Sequence, residues 1–329
     1  MSDLALARAR ASLAFRQQAS WKIPEYLFWA AAAASWFLLP DQYLLLNEIA
    51  IFGLFALSLD LILGYGGIVS LGHAAFFGFG AFVAGIIAKA GFTDPIAGLV
   101  VAGVATALLG LSTSFLVLRG SDLTRLMVTL SVSLVLFEVA NRLTWLTGGA
   151  DGLQGVTIGP VLGLFEFDIF GAVGYAYSLI VLFLLFLVAR RVMGSPFGWS
   201  VRAVKGNALR TASIGIPVTL RLVLIYGFAA CYAGVAGALI AQTTQFVSLD
   251  VLAFHRSADV LLMLVIGGVG YLYGGLIGAL IFKLLQNELS DLTPQYWQFW
   301  IGLLLVGFVL IGRERVTNWP RALLARVRR

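Results

Sequence analysis

The stretch from Gly64 to Gly85, GYGGIVSLGHAAFFGFGAFVAG, holds the side chains best suited to chemistry in an otherwise apolar setting: Ser70 and His73. At membrane depth a polar or ionisable side chain costs free energy unless it faces protein or a water-filled cavity. Glycines around it let a neighbouring backbone come close. His73 is the histidine that falls inside an apolar run. Two roles are open to it: proton relay or solute contact, and a hydrogen-bonded packing residue that fixes helix register. No Asp or Glu lies three or four residues away to complete a relay, which favours the second role. Ser70 is placed to bond a backbone carbonyl. Ser70, His73, Gly78, Gly270 and Gly274 are therefore expected on a translocation path or packed beside it. Gly270, Gly274 and Gly278 form a row at spacing four, and Ala230, Gly234 and Ala238 another. Bundle packing accounts for such rows without a direct pore role.

Catalytic and nucleotide chemistry find no support. A P-loop needs Gly followed by Lys, and Lys22, Lys89, Lys205 and Lys283 follow Trp21, Ala88, Val204 and Phe282. H-E-x-x-H, C-x-x-C and G-x-S-x-G are missing as well, and Cys231 is the single cysteine. The chain reads as a non-enzyme that binds no metal and no cofactor.

The elements that would carry these residues follow from composition. Of 329 residues 60% are hydrophobic and 12% charged, and the mean hydropathy is +0.95. Soluble domains carry about twice that share of charge. A helical span needs about 20 mostly apolar residues. Apolar runs occur at roughly 24–40, 43–63, 68–89, 95–118, 122–142, 170–189, 219–241, 257–271, 273–289 and 296–312. The eighth and ninth are short and joined by glycines, as in broken or re-entrant segments. The expected fold is an all-α polytopic membrane bundle of about ten transmembrane spans. The net charge of +6 gathers in particular loops and does not suggest nucleic acid. Arg119 and Arg125, then Arg190, Arg191, Arg202, Lys205 and Arg210, then Arg313 to Arg329 fall on the same side when the N-terminus is inside. That is the positive-inside pattern, with both termini cytoplasmic. The expected organisation is a cytoplasmic tail over 1–23, a transmembrane domain over 24–312 with a cytoplasmic loop at about 190–218, and a basic tail over 313–329.

Glu48, Asp60, Glu138, Asp259 and Glu288 lie in or near the spans, and solvated or helix-end positions explain most of them. The loop RRVMGSPFGWSVRAVKGNALRTASIGIPVTLR (190–221) is different. Trp199, Ala203, Leu209, Ala212 and Ile214 form a loose apolar stripe beside cations, which predicts one or two amphipathic helices at the membrane surface. Gly215 and Pro217 end them. Simple anchoring and docking into a groove on a cytoplasmic partner are both open. On the far side, TGGADGLQG (147–155) has the Gly and Asp density of turns. It is open there to a binding partner, as is 243–256.

Four segments, in order, resemble the LivM-type permeases of branched-chain amino acid ABC transporters. They are GYGGIVSLGHAAFFGFGA (64–81), LRGSDLTRLMVTLSVSLVLFEVANRLTWLTGGADGLQG (118–155), SPFGWSVRAVKGNALRTASIGIPV (195–218), and GFAACYAGVAGALIA (227–241) followed by LLMLVIGGVGYLYGGLIGA (261–279). The resemblance implies a multi-pass permease subunit in a bacterial-type inner membrane. It also implies a LivH-type permease partner, two ATPase subunits that use ATP–Mg, and an external solute-binding protein. Solutes of the family are branched-chain amino acids, with relatives moving other amino acids, urea or amides. Its ATPase-coupling loop maps onto Arg202, Lys205, Asn207, Arg210 and Gly215. Family loops usually carry glutamates near the positions of Gly206, Ala208 and Ala212, and this chain has no acidic residue from Arg190 to Arg221. An ion-gradient-driven carrier or channel is the alternative from another class, and a non-transporting scaffold a third.

Overall fold

The computed structural model describes residues 21–168 and 170–311. The expected tail over 1–23 lies almost wholly outside them, and the basic tail over 313–329 entirely so. Among the described residues the chain is helical, and its β pairing is limited to two isolated bridges. The helices are α1 (Ile23–Leu38), α2 (Tyr43–Leu59), α3 (Ala74–Lys89), α4 (Pro95–Val117), α5 (Asp122–Arg142) and α6 (Ala172–Met193). They continue with α7 (Pro196–Gly206), α8 (Ala208–Ser213), α9 (Val218–Thr244), α10 (Phe254–Gly267), α11 (Leu272–Leu292) and α12 (Trp297–Ile311). Five helical stretches are long and apolar enough to cross a membrane: Pro40–Tyr65, α4, α5, α6 and α9. α10 and α11 make a sixth if taken as one span, bent by 112° at their break. α1, α3, α10 and α12, with 16, 16, 14 and 15 residues, fall short of a full crossing.

α2 and α9 are the centre of the bundle. α9 packs on α4 and α3, and α2 on α11, α6 and α9. Small residues set these distances. A Cβ on Gly80 would overlap the Gly234 backbone, and one on Gly237 would overlap the Phe77 carbonyl. α3 and α9 thus touch backbone to backbone, the arrangement that gives apolar helices dispersion contact in place of a hydrophobic drive. A Cβ on Gly275 would meet the α2 backbone at Ala56 and Leu57. At the α10–α11 corner, Gly274 and Gly278 face Gly268 and Met263. The row at spacing four therefore divides: Gly270 sits in the break, and the other two pack the corner.

Two expectations change. The run at 68–89 is not one helix. α2 ends in a π-helical turn (Asp60–Tyr65), the chain is non-helical through His73, and α3 starts only at Ala74. This stretch is mostly buried in the bundle, the setting in which non-helical backbone survives at membrane depth. Ile68 donates to the Ile62 carbonyl, Leu71 to Thr129 Oγ1 at 3.2 Å and Ala74 to Ser257 Oγ at 2.9 Å. Asp60 is also not solvated: it is fully buried within the helix end, where a backbone donor of the α10–α11 break holds it.

Replacing Gly80 or Gly237 by Leu is expected to destabilise the bundle by about 1–3 kcal/mol or more, as overpacking does, because backbone and not a movable side chain stands in the way. Thermal unfolding of the detergent-solubilised protein checks this. Gly206→Ala, where a Cβ meets nothing within 4 Å, should leave the transition in place.

Candidate functional site

The 190–218 loop folds as two short helices. Pro196 opens α7 at its first turn, where its missing N–H leaves no bond unmade. Asn207 separates the two helices, and its Oδ1 accepts the Arg210 N–H at 2.9 Å, capping α8. Gly215 then turns the chain at φ +87°, a conformation that suits glycine. The face of α7 turned to the bundle is Val201 and Val204, both buried. The expected stripe is not that face: Leu209 is 86% exposed and Ile214 70%, beside the exposed Arg210.

α7 rests on the π-helical turn. Lys205 Nζ donates to the Gly64 carbonyl at 2.6 Å. The Arg202 guanidinium lies 4.8 Å from the Tyr65 ring centroid and 5.1 Å from that of Trp199. The lysine stem packs at Gly67, which has a φ of +72°. From the other side, the Gly270 N–H in the α10–α11 break donates to Asp60 Oδ1 at 2.6 Å. α7, the end of α2 and the break thus meet at one joint. A pocket of about 970 Å³ opens beside it, lined by Tyr65, Trp199 and Arg202 and across from them by Gly270 and Tyr271. Arg190 closes its edge, bonded to Glu25 at 2.6 Å and stacked on Trp21 at 4.5 Å.

Of the residues expected to act together, Arg202, Lys205 and Gly270 do meet at this joint. Asn207, Arg210 and Gly215 lie further along the loop, and Gly274 packs the corner. Ser70 and His73 belong to the non-helical stretch. His73 Nε2 and Ser58 Oγ are 2.8 Å apart, and the ring stacks on Phe55 at 5.5 Å and meets Phe76 edge-on. Ser70 Oγ is buried without a hydrogen-bond partner, so the carbonyl contact expected for it is not made. Gly78 lies on α3, where its missing Cβ makes room for Leu252.

The far-side loops also come together. Leu153 and Val247 pair in an antiparallel bridge, with the Leu153 N–H 2.7 Å from the Val247 carbonyl. Near them, Arg256 pairs with Asp250, and the guanidinium also lies over the Phe52 ring. Lys283 Nζ sits 4.1 Å from the centroid of that ring and 2.9 Å from Glu48 Oε2. Sequence reasoning missed this last pair. Its signal was present, since Glu48 and Lys283 both fall in apolar runs, where an ionic side chain needs a partner.

Comparison with known proteins accords with this architecture. The chain is 27% identical over 283 residues to the high-affinity branched-chain amino acid transport system permease protein LivM of Salmonella typhimurium, covering 78% of this chain and 65% of the relative. It is 26% identical to LivM of Escherichia coli over the same shares. The ribose import permease protein RbsC of Bacillus subtilis is 29% identical over 288 residues, 82% of this chain and 84% of the relative. The chain thus spans about two thirds of the length of its LivM relatives. No solved structure matches it. The branched-chain amino acid transport system / permease component family matches residues 43–311, which takes in the central helices, the α7–α8 loop and the broken α10–α11 pair, and the chain belongs to that family.

Proposed function

We propose that this chain is the permease subunit of an ABC importer and forms half of a translocation path for branched-chain amino acids or related solutes. A LivH-type permease would complete the path. Two ATPase subunits would supply ATP–Mg hydrolysis, and an external solute-binding protein would deliver the solute at the paired loops around Leu153 and Val247. In this reading the chain spans the inner membrane about ten times, with both termini in the cytoplasm. Among the described residues ten main helices overlap the ten apolar runs, four of them shorter than a full crossing, and the basic loops fall on one side of that count.

One observation carries the reading: the α7–α8 loop of a family permease is anchored on the bundle by one face and free on the other. Val201, Val204 and Lys205 tie it to the protein, and Leu209, Arg210 and Ile214 project outward. An exposed apolar pair beside a cation on a short helix suits insertion into a groove of a partner. The loop carries no carboxylate, so the partner groove would be neutral or acidic. The solute assignment rests on the family and on the LivM relatives. The RbsC likeness makes a sugar the counter-hypothesis.

The assembled complex in proteoliposomes should take up labelled leucine only with internal ATP–Mg and the binding protein, and should ignore ribose. Uptake of ribose alone would reverse the solute assignment. Uptake driven by a proton or sodium gradient without ATPases would replace the importer with a carrier.

Arg202→Glu together with Arg210→Glu should lower ATP-driven uptake at least about tenfold, the scale expected when charges at an interface are reversed, while membrane insertion stays normal. A Leu209→Cys variant in a Cys231→Ala background should react rapidly with a maleimide in the isolated chain and slowly in the complex. Equal rates in both would remove the loop from the ATPase interface.

A further inference from the structure

Asp60 has no part in the reading above, yet it is the one carboxylate among the described residues that is fully buried. Its Oδ1 takes the Gly270 N–H, and its Oδ2 is enclosed without a partner. A buried carboxylate with a single hydrogen bond is a poor stabiliser. An explanation lies in what it joins. In the break at 268–271, Gly268 and Gly270 have φ of +109° and +80°; the Gly268 N–H still reaches the Leu264 carbonyl, but the Gly270 N–H goes to Asp60. One helical turn on, the Gly64 carbonyl receives the Lys205 ammonium. A Cβ at Gly64 would collide with the Asp60 carboxyl and with the Gly270 nitrogen. The π-helical turn is therefore held both by α7 and by the break.

We infer that Asp60 is a positioning residue for coupling. It pins the α10–α11 corner to the end of α2, so that a displacement of α7, passed on through Lys205 and Arg202, moves the corner with α2 instead of shearing past it. The inference rests on the proposed docking of an ATPase at α7–α8. Two further features fit it. The corner is closed by Gly267, Gly274 and Gly278 in backbone contact, so it moves as a body. A pocket of about 970 Å³ borders the joint and is lined both by Trp199 and Arg202 on α7 and by Gly270 and Tyr271 in the break. Packed elements of this kind switch between discrete arrangements and do not deform smoothly.

The test uses the complete transporter in proteoliposomes and reads solute taken up per ATP hydrolysed. Asp60→Ala removes the acceptor and should lower this ratio about tenfold, the scale of one charge-assisted hydrogen bond. Asp60→Asn keeps an oxygen for the Gly270 N–H but encloses an amide NH2 where Oδ2 stands, so it should fall less far than Asp60→Ala. Lys205→Met lies on an exposed residue, leaves the fold in place and should fall as Asp60→Ala does. The double variant Asp60→Ala/Lys205→Met should be no worse than the poorer single one, since both break one chain of contacts. A wild-type ratio in both Asp60→Ala and Lys205→Met would overturn the inference, and so would Asp60→Asn falling as far as Asp60→Ala. Should Asp60→Ala fail to assemble, the Asn and Lys205 variants decide by the same criteria. Wild-type uptake that ignores ATP would instead remove the importer reading beneath it.

Discussion

Inside a bilayer every backbone N–H that leaves a helix must find its acceptor within the protein, and much of this structure answers to that requirement. The chain breaks helical order twice in the bundle, at 66–73 and at 268–271. At the first break Thr129 on α5 and Ser257 on α10 supply hydroxyl oxygens to Leu71 and Ala74. At the second, Asp60 supplies a carboxylate to Gly270. These polar side chains lie on helices distant in sequence from the breaks they serve. Satisfying the breaks therefore fixes how α5, α10 and α2 stand relative to them. Polar groups that look like candidates for transport chemistry are, in these cases, acceptors for displaced backbone.

This explains what was legible in the sequence and what was not. Apolar runs marked where the ten main helices among the described residues lie, though not where the third of them starts. The small-residue rows announced close crossings, and Gly234, Gly274 and Gly278 make them, with Gly80 and Gly237 outside those rows. The non-helical stretch before Ala74 was hidden, since a buried broken segment has the same composition as a buried helix, and only its long-range hydrogen bonds distinguish the two. Asp60 was misplaced for the same reason: its partner lies 210 residues away and is a backbone group that no side-chain pattern reports. Along α7 and α8 the apolar stripe was visible but its direction was not. Val201 and Val204 took the buried face, and Leu209 and Ile214 were left outside.

The relatives sharpen the point. LivM and RbsC match this chain at similar identity, 26–29%, although their names specify an amino acid and a sugar. Shared residues at that level report scaffold. Helix crossings built on glycine, loops paired at Leu153 and Val247 and an anchored surface loop are features of the scaffold. The choice of solute must rest on a smaller set of side chains, together with those of partner subunits.

The distribution of buried charge adds a mechanical argument. Asp60 and Lys283 are the two fully or nearly fully buried charged residues among those described, and both join α2 to the α10–α11 pair. Asp60 holds the break at one end of α2, and Lys283 reaches Glu48 and Phe52 toward the other. Between them Gly275 brings α11 against the α2 backbone at Ala56. Buried ionic groups add little net stability compared with apolar packing, and removing one partner leaves a charge uncompensated. A contact held at three levels along its length resists sliding more than it resists rotation as a unit. α2 and α11 are thus joined along their length, at the Asp60 end, at Gly275 and at Lys283.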